Sequence, residues 1–372
     1  MMNTWYVVSE DYRPYQLNVT TKESVYNAAP KNQRMRVVIT PTTTAAPGTG
    51  GVAYVGSFSV GDDNTPAWVF NLNGDGQTTG ETCSHESGHT MGLDHDGKIG
   101  GPEYYPGHNM WAPIMGVSYG KTVTQWSIDE YDNANNPEDD VTIIGKNNGF
   151  AFKTDEAGNT VGTAAALKIE TDNSTILAAN NYGIILKNTD IDFYSFKTGA
   201  GNVSFTVKPS PNFPDLDVLL NITNASGTVL ATANPTDNMG ATITANLTAG
   251  TYYLKIDGTG TGNPITGYSD YASIGEYTIA GSVVGVATGI SETAKNNTAL
   301  YPNPASDNIT VSLNNPGIVN SVNIVNMLGQ VLYSVQTDQS SLNLNLSGYN
   351  KGIYFVTVSN ANGTSTYRFI KE

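Results

Sequence analysis

The stretch ETCSHESGHTMGLDHDG, Glu81 to Gly97, constrains this chain more than any other, because it holds three of only four histidines within eleven residues. His85 and His89 are four residues apart, so on a helix they project from one face about 40° apart and can point at a common centre. Glu86 falls about 60° from His89, at the margin of that face. Gly92 can take a positive φ and turn the chain sharply, which returns His95 as a third nitrogen donor. Three neutral imidazoles and an open fourth position are what a catalytic zinc site requires. The charge they leave uncompensated would bring the pKa of a bound water to roughly 7. Glu86 is then placed to take that water's proton as it attacks a carbonyl carbon and to hand the proton to a departing amine. A peptide bond suits this arrangement.

Two plainer readings compete with it. The histidines could decorate a surface helix, or they could belong to a structural zinc site with four protein ligands. Five fixed positions would coincide by chance on the order of once in 10⁴ chains of this length. No fourth ligand is evident, since Cys83 projects about 160° away from His85 on a helix. That cysteine reads as a small buried residue, not as a metal or redox group.

At 372 residues the chain exceeds one ordinary domain, and its composition changes along its length. All tryptophans (Trp5, Trp68, Trp111, Trp126), all histidines and the only cysteine precede residue 130. Helical signals surround the histidines: a helix is expected over Thr79–Gly92 and a second over Thr124–Asn136. Strands are expected at Arg34–Thr40, Gly51–Phe58 and Ala67–Asn71. Beyond residue 150 the chain becomes alternating apolar and polar runs separated by Asn, Gly, Ser and Pro turns, the pattern of a β-sandwich. In TYYLKID, Tyr252, Leu254 and Ile256 share one face. The small, polar stretch 285–297 reads as a linker. A third unit follows, with strands around Ile309–Leu313, Val322–Asn326, Val331–Val335, Leu342–Leu346 and Gly352–Val358, and with NMLGQ (Asn326–Gln330) as a hairpin turn. The expected architecture is therefore multidomain: an α+β domain over 1–147, a β-sandwich over 148–284, the linker, and a second β-sandwich over 298–372.

The net charge of −15 is spread along the chain and reads as a solubility feature. No basic stripe exists to displace counterions from phosphates, which argues against nucleic acid as a partner. One cysteine excludes an intramolecular disulfide framework. No apolar run is long enough for a transmembrane segment.

HESGHTMGLDHD resembles the HExxHxxGxxHD signature of the metzincin zinc metallopeptidases, and Asp96 after the third histidine is similar to the reprolysin or adamalysin branch. The resemblance implies zinc on His85, His89 and His95, Glu86 as general base, and Asp96 as a buried structural carboxylate. It also implies a methionine turn beneath the metal, for which APIMGVSYG (Ala112–Gly120) supplies Met115. Tyr119 lies four residues after Met115, whereas branches with a tyrosine near the metal have it two residues after. Tyr119 and His108 are candidates for the substrate cleft. By the same analogy, the Gly51–Phe58 strand is the edge that pairs with extended peptide substrate.

Residues from about 150 to 284 resemble a bacterial pre-peptidase C-terminal domain, through NTDIDFYSF, PDLDVLLNITNASGTVLATA and GTYYLKIDGTG. Calcium is the cofactor its acidic turns suggest, with Asp215 and Asp217 as candidates; the alternative is ordinary Asx-turn chemistry. LYPNPASDNITV, VNIVNMLGQVLYS, LNLSGYNKGIYFVTVSN and the terminal RFIKE resemble a type A sorting domain of the type IX secretion system of Bacteroidota. That resemblance implies the secretion machinery as a partner and a secreted or cell-surface location beyond the outer membrane. The N-terminus shows no export signal and no cysteine-switch propeptide, and about 33 residues precede the first strand. A truncated upper subdomain is therefore expected. The overall expectation is a secreted zinc endopeptidase; the alternative is a surface binding or adhesion protein whose peptidase-like core has lost activity. The retained Glu86 separates the two.

Overall fold

The histidine helix is longer than its motif. In a computed structural model, which describes residues 1–61, 63–70, 74–286, 298–313, 318–360 and 363–372, it spans Gly76–Thr90. It begins three residues before the expected Thr79, because Asp75 caps it. The Asp75 carboxylate accepts from Gln77 N at 3.3 Å and Thr78 N at 2.9 Å. Gly92 ends it with φ 104°, a conformation costly for any other residue.

Around this helix the chain runs α1 (Met2–Asp11), α2 (Glu23–Ala28), β1 (Val37–Thr40), β2 (Gly51–Val52), β3 (Ala67–Phe70), the histidine helix α3, β4 (Trp111–Pro113), β5 (Val123–Gln125) and α4 (Asp140–Asn148). A three-stranded sheet in the order β1-β3-β2 has β1 parallel and β2 antiparallel to the central β3. The expected Gly51–Phe58 strand is therefore confined to Gly51–Val52, and Phe58–Val60 forms a 3₁₀ turn.

The helix expected over Thr124–Asn136 does not form. Its start lies in β5, paired in parallel with β4, and Asp129 and Asn133 take φ of 72° and 56°. Left-handed residues cannot continue a right-handed helix. Glu130 Oε2 instead accepts from Ser127 Oγ at 2.8 Å and Ile128 N at 2.6 Å, fixing a loop. The helix comes later, at α4, with Asp139 accepting from Thr142 N and Gly149 closing it at φ 73°.

The next strands are β6 (Ala165–Ala166), β7 (Thr175–Ile176), β8 (Tyr182–Ile185), β9 (Ile191–Thr198), β10 (Gly201–Pro209), β11 (Val218–Thr223), β12 (Val229–Ala233), β13 (Ala241–Leu247), β14 (Gly250–Gly258) and β15 (Gly275–Ser282). They build two sheets, β13-β10-β15-β7 with β8 also on β15, and β12-β11-β14-β9-β6. Leu254 and Ile256 are fully buried, on the face the alternation predicted.

Residues Met1–Val286 form one compact unit, so position 147, the expected domain end, lies within α4 inside that unit. One hydrophobic core runs from Tyr12, Met115 and Trp126 through Ile144 to Phe205 and Leu254. Gln125 Nε2 donates to Asp215 O at 2.6 Å, and Tyr271 OH donates to Asp139 Oδ1 at 2.6 Å.

The second unit spans Ala287–Glu372, and most of the expected linker, 287–297, lies outside the described residues. Its strands are β16 (Thr298–Tyr301), β17 (Asn308–Leu313), β18 (Asn320–Asn326), β19 (Val331–Thr337), β20 (Ser341–Asn345), β21 (Gly352–Asn360) and β22 (Gly363–Lys371). They form sheets β16-β17-β20 and β19-β18-β21-β22 around Ile309, Val311, Val322, Ile324, Val356 and Phe369. NMLGQ is the hairpin turn between β18 and β19, with Gly329 at φ 79°.

Leu254→Ala should cost about 2–5 kcal/mol of the first unit's stability, as deletion of a fully buried leucine does. The half-exposed Val229→Ala should cost below about 0.5 kcal/mol. Urea unfolding of both variants checks this, and equal costs would contradict the core described.

Candidate metal centre

Every residue of α3 from Thr79 to Thr90 is buried, although most are polar. Burial of so many polar groups demands partners, and these fix the helix in place. Glu81 accepts from Ser118 Oγ at 2.9 Å and Thr124 Oγ1 at 3.1 Å. Ser84 Oγ donates to Asp11, and Tyr12 OH donates to Ser84 O at 2.9 Å, so α1 clamps the far side. Gly88 has no side chain where one would be impossible: a Cβ there would lie 2.6 Å from Met115 Sδ. Met115 is fully buried, with its sulfur against Gly88 of the helix.

The three histidines converge. His85, His89 and His95 each offer a ring nitrogen, and these atoms lie within 4.8 Å of one another. Each Nδ1 faces an oxygen: Ile114 O at 2.8 Å for His85, Leu93 O at 2.8 Å for His89, and Glu103 Oε1 at 2.9 Å for His95. Those oxygens suit Nδ1–H, which makes Nε2 the ring nitrogen each histidine can offer to a metal. His89 Nε2 and His95 Nε2 are 2.9 Å apart, close enough to share one cation or one proton. Burial, reinforced by His89, pushes His85 down to about 3, so its ring stays neutral. Burial also lowers His89. The donor set fits a nitrogen-ligated zinc ion.

Glu86 is buried in the wall of the same cleft, where burial pushes its carboxyl up to about 8. Its Oε2 has no hydrogen-bond partner. A Cβ on Gly51 would lie 2.4 Å from Oε1, so the glycine of β2 leaves the space the carboxylate occupies. The cleft encloses about 570 Å³, and Gly48–Ala53, Tyr104, Val117 and Tyr119 are among the residues that line it.

The remaining sequence candidates fall in distinct places. Asp96 is buried, with Oδ1 accepting from Asn136 Nδ2 at 3.3 Å, and its N–H bonds to Met115 O at 2.9 Å. It ties the segment that carries His95 to the loop that carries Met115. Tyr119 lines the cleft, and its hydroxyl pairs with Thr82 Oγ1 at 3.1 Å. His108 is not among the residues lining the cleft; its ring bridges Tyr105 OH and Gly267 O. Cys83 is buried, and burial pushes its thiol up to about 12, as befits an inert packing residue.

Asp215 and Asp217 do not form a cation site among the described residues. Burial, then the charge of Asp11, drives the Asp215 carboxyl well above its ordinary range, and Asp217 Oδ2 accepts from Tyr268 OH at 2.8 Å. The carboxylates that do converge are Asp155, Asp190 and Asp192, with ligand atoms within 4.8 Å.

Two functional residues escaped the sequence reading. Glu103 holds His95, and the Tyr104 ring lies 4.1 Å from His95 and 6.0 Å from His85, centroid to centroid. They come from a loop with no periodicity, and the one available signal was an acidic–aromatic pair soon after the third histidine.

Comparison with known proteins agrees with two of these segments. Residues 8–96 match metallo-peptidase family M12B, reprolysin-like, and residues 299–372 match the secretion system C-terminal sorting domain. Among curated proteins, the ulvan lyase NLR42 of Nonlabens ulvanivorans is 36% identical over 70 residues, 18% of this chain and 13% of that one. Beta-agarase A of Zobellia galactanivorans is 40% identical over 67 residues, 18% of this chain and 12% of that one. The chain therefore covers only about an eighth of these relatives' lengths. Among solved structures, the pre-peptidase C-terminal domain of a Bacillus anthracis collagenase is 17% identical at TM-score 0.22, covering 35% of this chain and 97% of that one. PorZ, a surface component of the type IX secretion system of Porphyromonas gingivalis, is 24% identical at TM-score 0.20, covering 28% and 15%. The histidine cluster thus lies in a segment that matches the reprolysin-like metallopeptidases, and the chain ends in a secretion-system sorting domain.

Proposed function

We propose that the chain is an exported zinc endopeptidase. The observation that carries this reading is the meeting of three histidine ring nitrogens beside a buried carboxyl group with an unpartnered oxygen, in one open cleft. His85, His89 and His95 would hold the metal. When bound, zinc supplies Lewis acidity toward water and a substrate carbonyl.

The chain's own residues do the rest. Glu86 takes the proton of the attacking water and passes it to the amine that leaves. Gly51 keeps that carboxylate in place, and Met115 with Gly88 fixes the height of the helix beneath it. β2 pairs with β3 on one side only, so its other edge is available to an extended peptide, which it would hold through backbone hydrogen bonds. The sorting domain directs this activity outside the cell. Retention of all three ligands and Glu86 favours an active enzyme over an adhesion protein with a spent core.

A calcium ion would be held by Asp155, Asp190 and Asp192. Asp192 Oδ2 accepts from Tyr277 OH, but the fully buried Oδ1 has no partner, an arrangement an oxygen-loving cation completes. Terbium luminescence should be strong in the parent and lost in Asp192→Asn; an unchanged signal would exclude the site.

The parent should carry one equivalent of zinc and cleave casein in a chelator-sensitive way. Glu86→Gln should lower kcat by about 10²–10⁴-fold at unchanged zinc content. A variant that cleaves as fast as the parent would remove Glu86 from its role. Gly51→Ala, which displaces the same carboxylate, should cost up to about 10²-fold in kcat with zinc retained. Metal analysis and steady-state kinetics on the same samples read both.

A further inference from the structure

The connection between β14 and β15, residues 259–274, reaches out of the sandwich toward the metal centre. Its tip is a short ladder in which Thr261 N donates to Tyr268 O and Tyr268 N to Thr261 O, both at 2.9 Å. Gly267 sits where no side chain fits, since a Cβ there would lie 1.7 Å from Thr261 O. Tyr268 anchors the arm at both ends: its hydroxyl donates to Asp217 of the sandwich, and its ring is buried with Tyr105, Trp111 and Tyr131.

Three hydrogen bonds then join the arm to the loops beside the cleft. His108 Nε2 meets Gly267 O at 2.6 Å, Asn109 Nδ2 donates to Thr266 O at 2.9 Å, and Asp132 N donates to Pro264 O at 3.1 Å. His108 Nδ1 accepts from Tyr105 OH at 2.8 Å, which fixes the tautomer with Nε2–H pointing at the arm. Tyr105 stacks on Tyr131 at 4.6 Å, and its backbone bonds to Asp96 O at 2.7 Å and Val117 N at 2.9 Å. The two residues just before it are Glu103 and Tyr104, which hold and cover His95.

Glu103 and Tyr104 are both exposed, so their placement depends on the anchored Tyr105 beside them. The Tyr105 backbone is fixed by Asp96 and Val117 and its ring by Tyr131, while its hydroxyl is fixed by His108, which the arm holds through Gly267 O. We infer that the 259–274 arm of the sandwich is a working part of the metal centre, with His108 as the positioning residue that braces the loop carrying Glu103 and Tyr104 against the third ligand. The sandwich is then not a detachable accessory to the peptidase. This rests on the zinc reading of the three histidines, but not on peptide hydrolysis.

The test uses the full chain loaded with zinc, and measures the rate of zinc release to excess chelator together with the visible spectrum of the cobalt-substituted protein. His108→Ala should release metal faster, by up to about 10-fold, the lower end of the cost of losing a direct partner of a ligand, and should alter the cobalt bands. His108→Gln, whose amide can donate to Gly267 O, should return the rate to within about threefold of the parent. Asn109→Gly keeps the φ of 45° at that position, removes one bond to the arm, and should accelerate release to a smaller degree, which covers the case of a poorly folding His108→Ala. Val203→Ala deletes buried methyl groups from β10, outside the arm, and should lower the melting temperature without changing zinc release. Parental release rates in both His108→Ala and Asn109→Gly would overturn the brace, as would equal acceleration by Val203→Ala. A parent that holds zinc but cleaves nothing would sink the peptidase reading and leave the brace standing. A parent that binds no zinc would sink both.

Discussion

Three contacts between imidazole rings and protein oxygens set the centre of this protein. The Nδ1 of each of His85, His89 and His95 faces a protein oxygen, which leaves Nε2 as the nitrogen each ring can offer to the centre. Had any of the three oxygens been missing, the ring could turn over or change tautomer, and the convergence would be lost. The three oxygens come from different places: the strand exit at Ile114, the bend at Leu93 and the loop at Glu103. The centre is therefore a statement about the whole surrounding backbone, not about one helix.

The cost of that arrangement lies behind the helix. A helix with polar residues on every side has no apolar face to bury, and α3 is held by polar contacts instead. Glu81 and Asp11 are buried near one another, and burial followed by the neighbouring charge of Glu81 raises Asp11 well above its ordinary range. Burial alone pushes Glu81 up to about 7. Their hydroxyl and indole partners — Ser84, Ser118, Thr124 and, through the Asp11 carbonyl, Trp126 — come from segments far apart in the chain. Such a network is specific because leaving any member unpaired is expensive.

The sequence reveals what is periodic and hides what is not. Alternation identified the region beyond residue 150 as β-sandwich and gave the buried face of β14, because one side of each strand meets the core. Helical angles placed His85, Glu86 and His89 together for the same geometric reason. α1 was missed because its buried residues include Thr4, Ser9, Glu10 and Asp11, so no apolar stripe announces it. The Thr124–Asn136 helix failed because backbone conformations at Asp129 and Asn133 override a helix-like pattern. Glu103, Tyr104 and the role of His108 depend on loops meeting across long stretches of chain, and Gly267 lies 159 residues from His108.

The rim of the cleft formed by Gly48, Gly50 and Gly51 has little side-chain surface to offer. Along this stretch the cleft presents amides and carbonyls, which are the same in every sequence. The aromatic surface of the cleft comes from Tyr104 and from Tyr119, whose hydroxyl reaches to within 3.0 Å of where a Gly50 Cβ would stand. Changing those two rings, not the glycines, would change the chemical character of the channel.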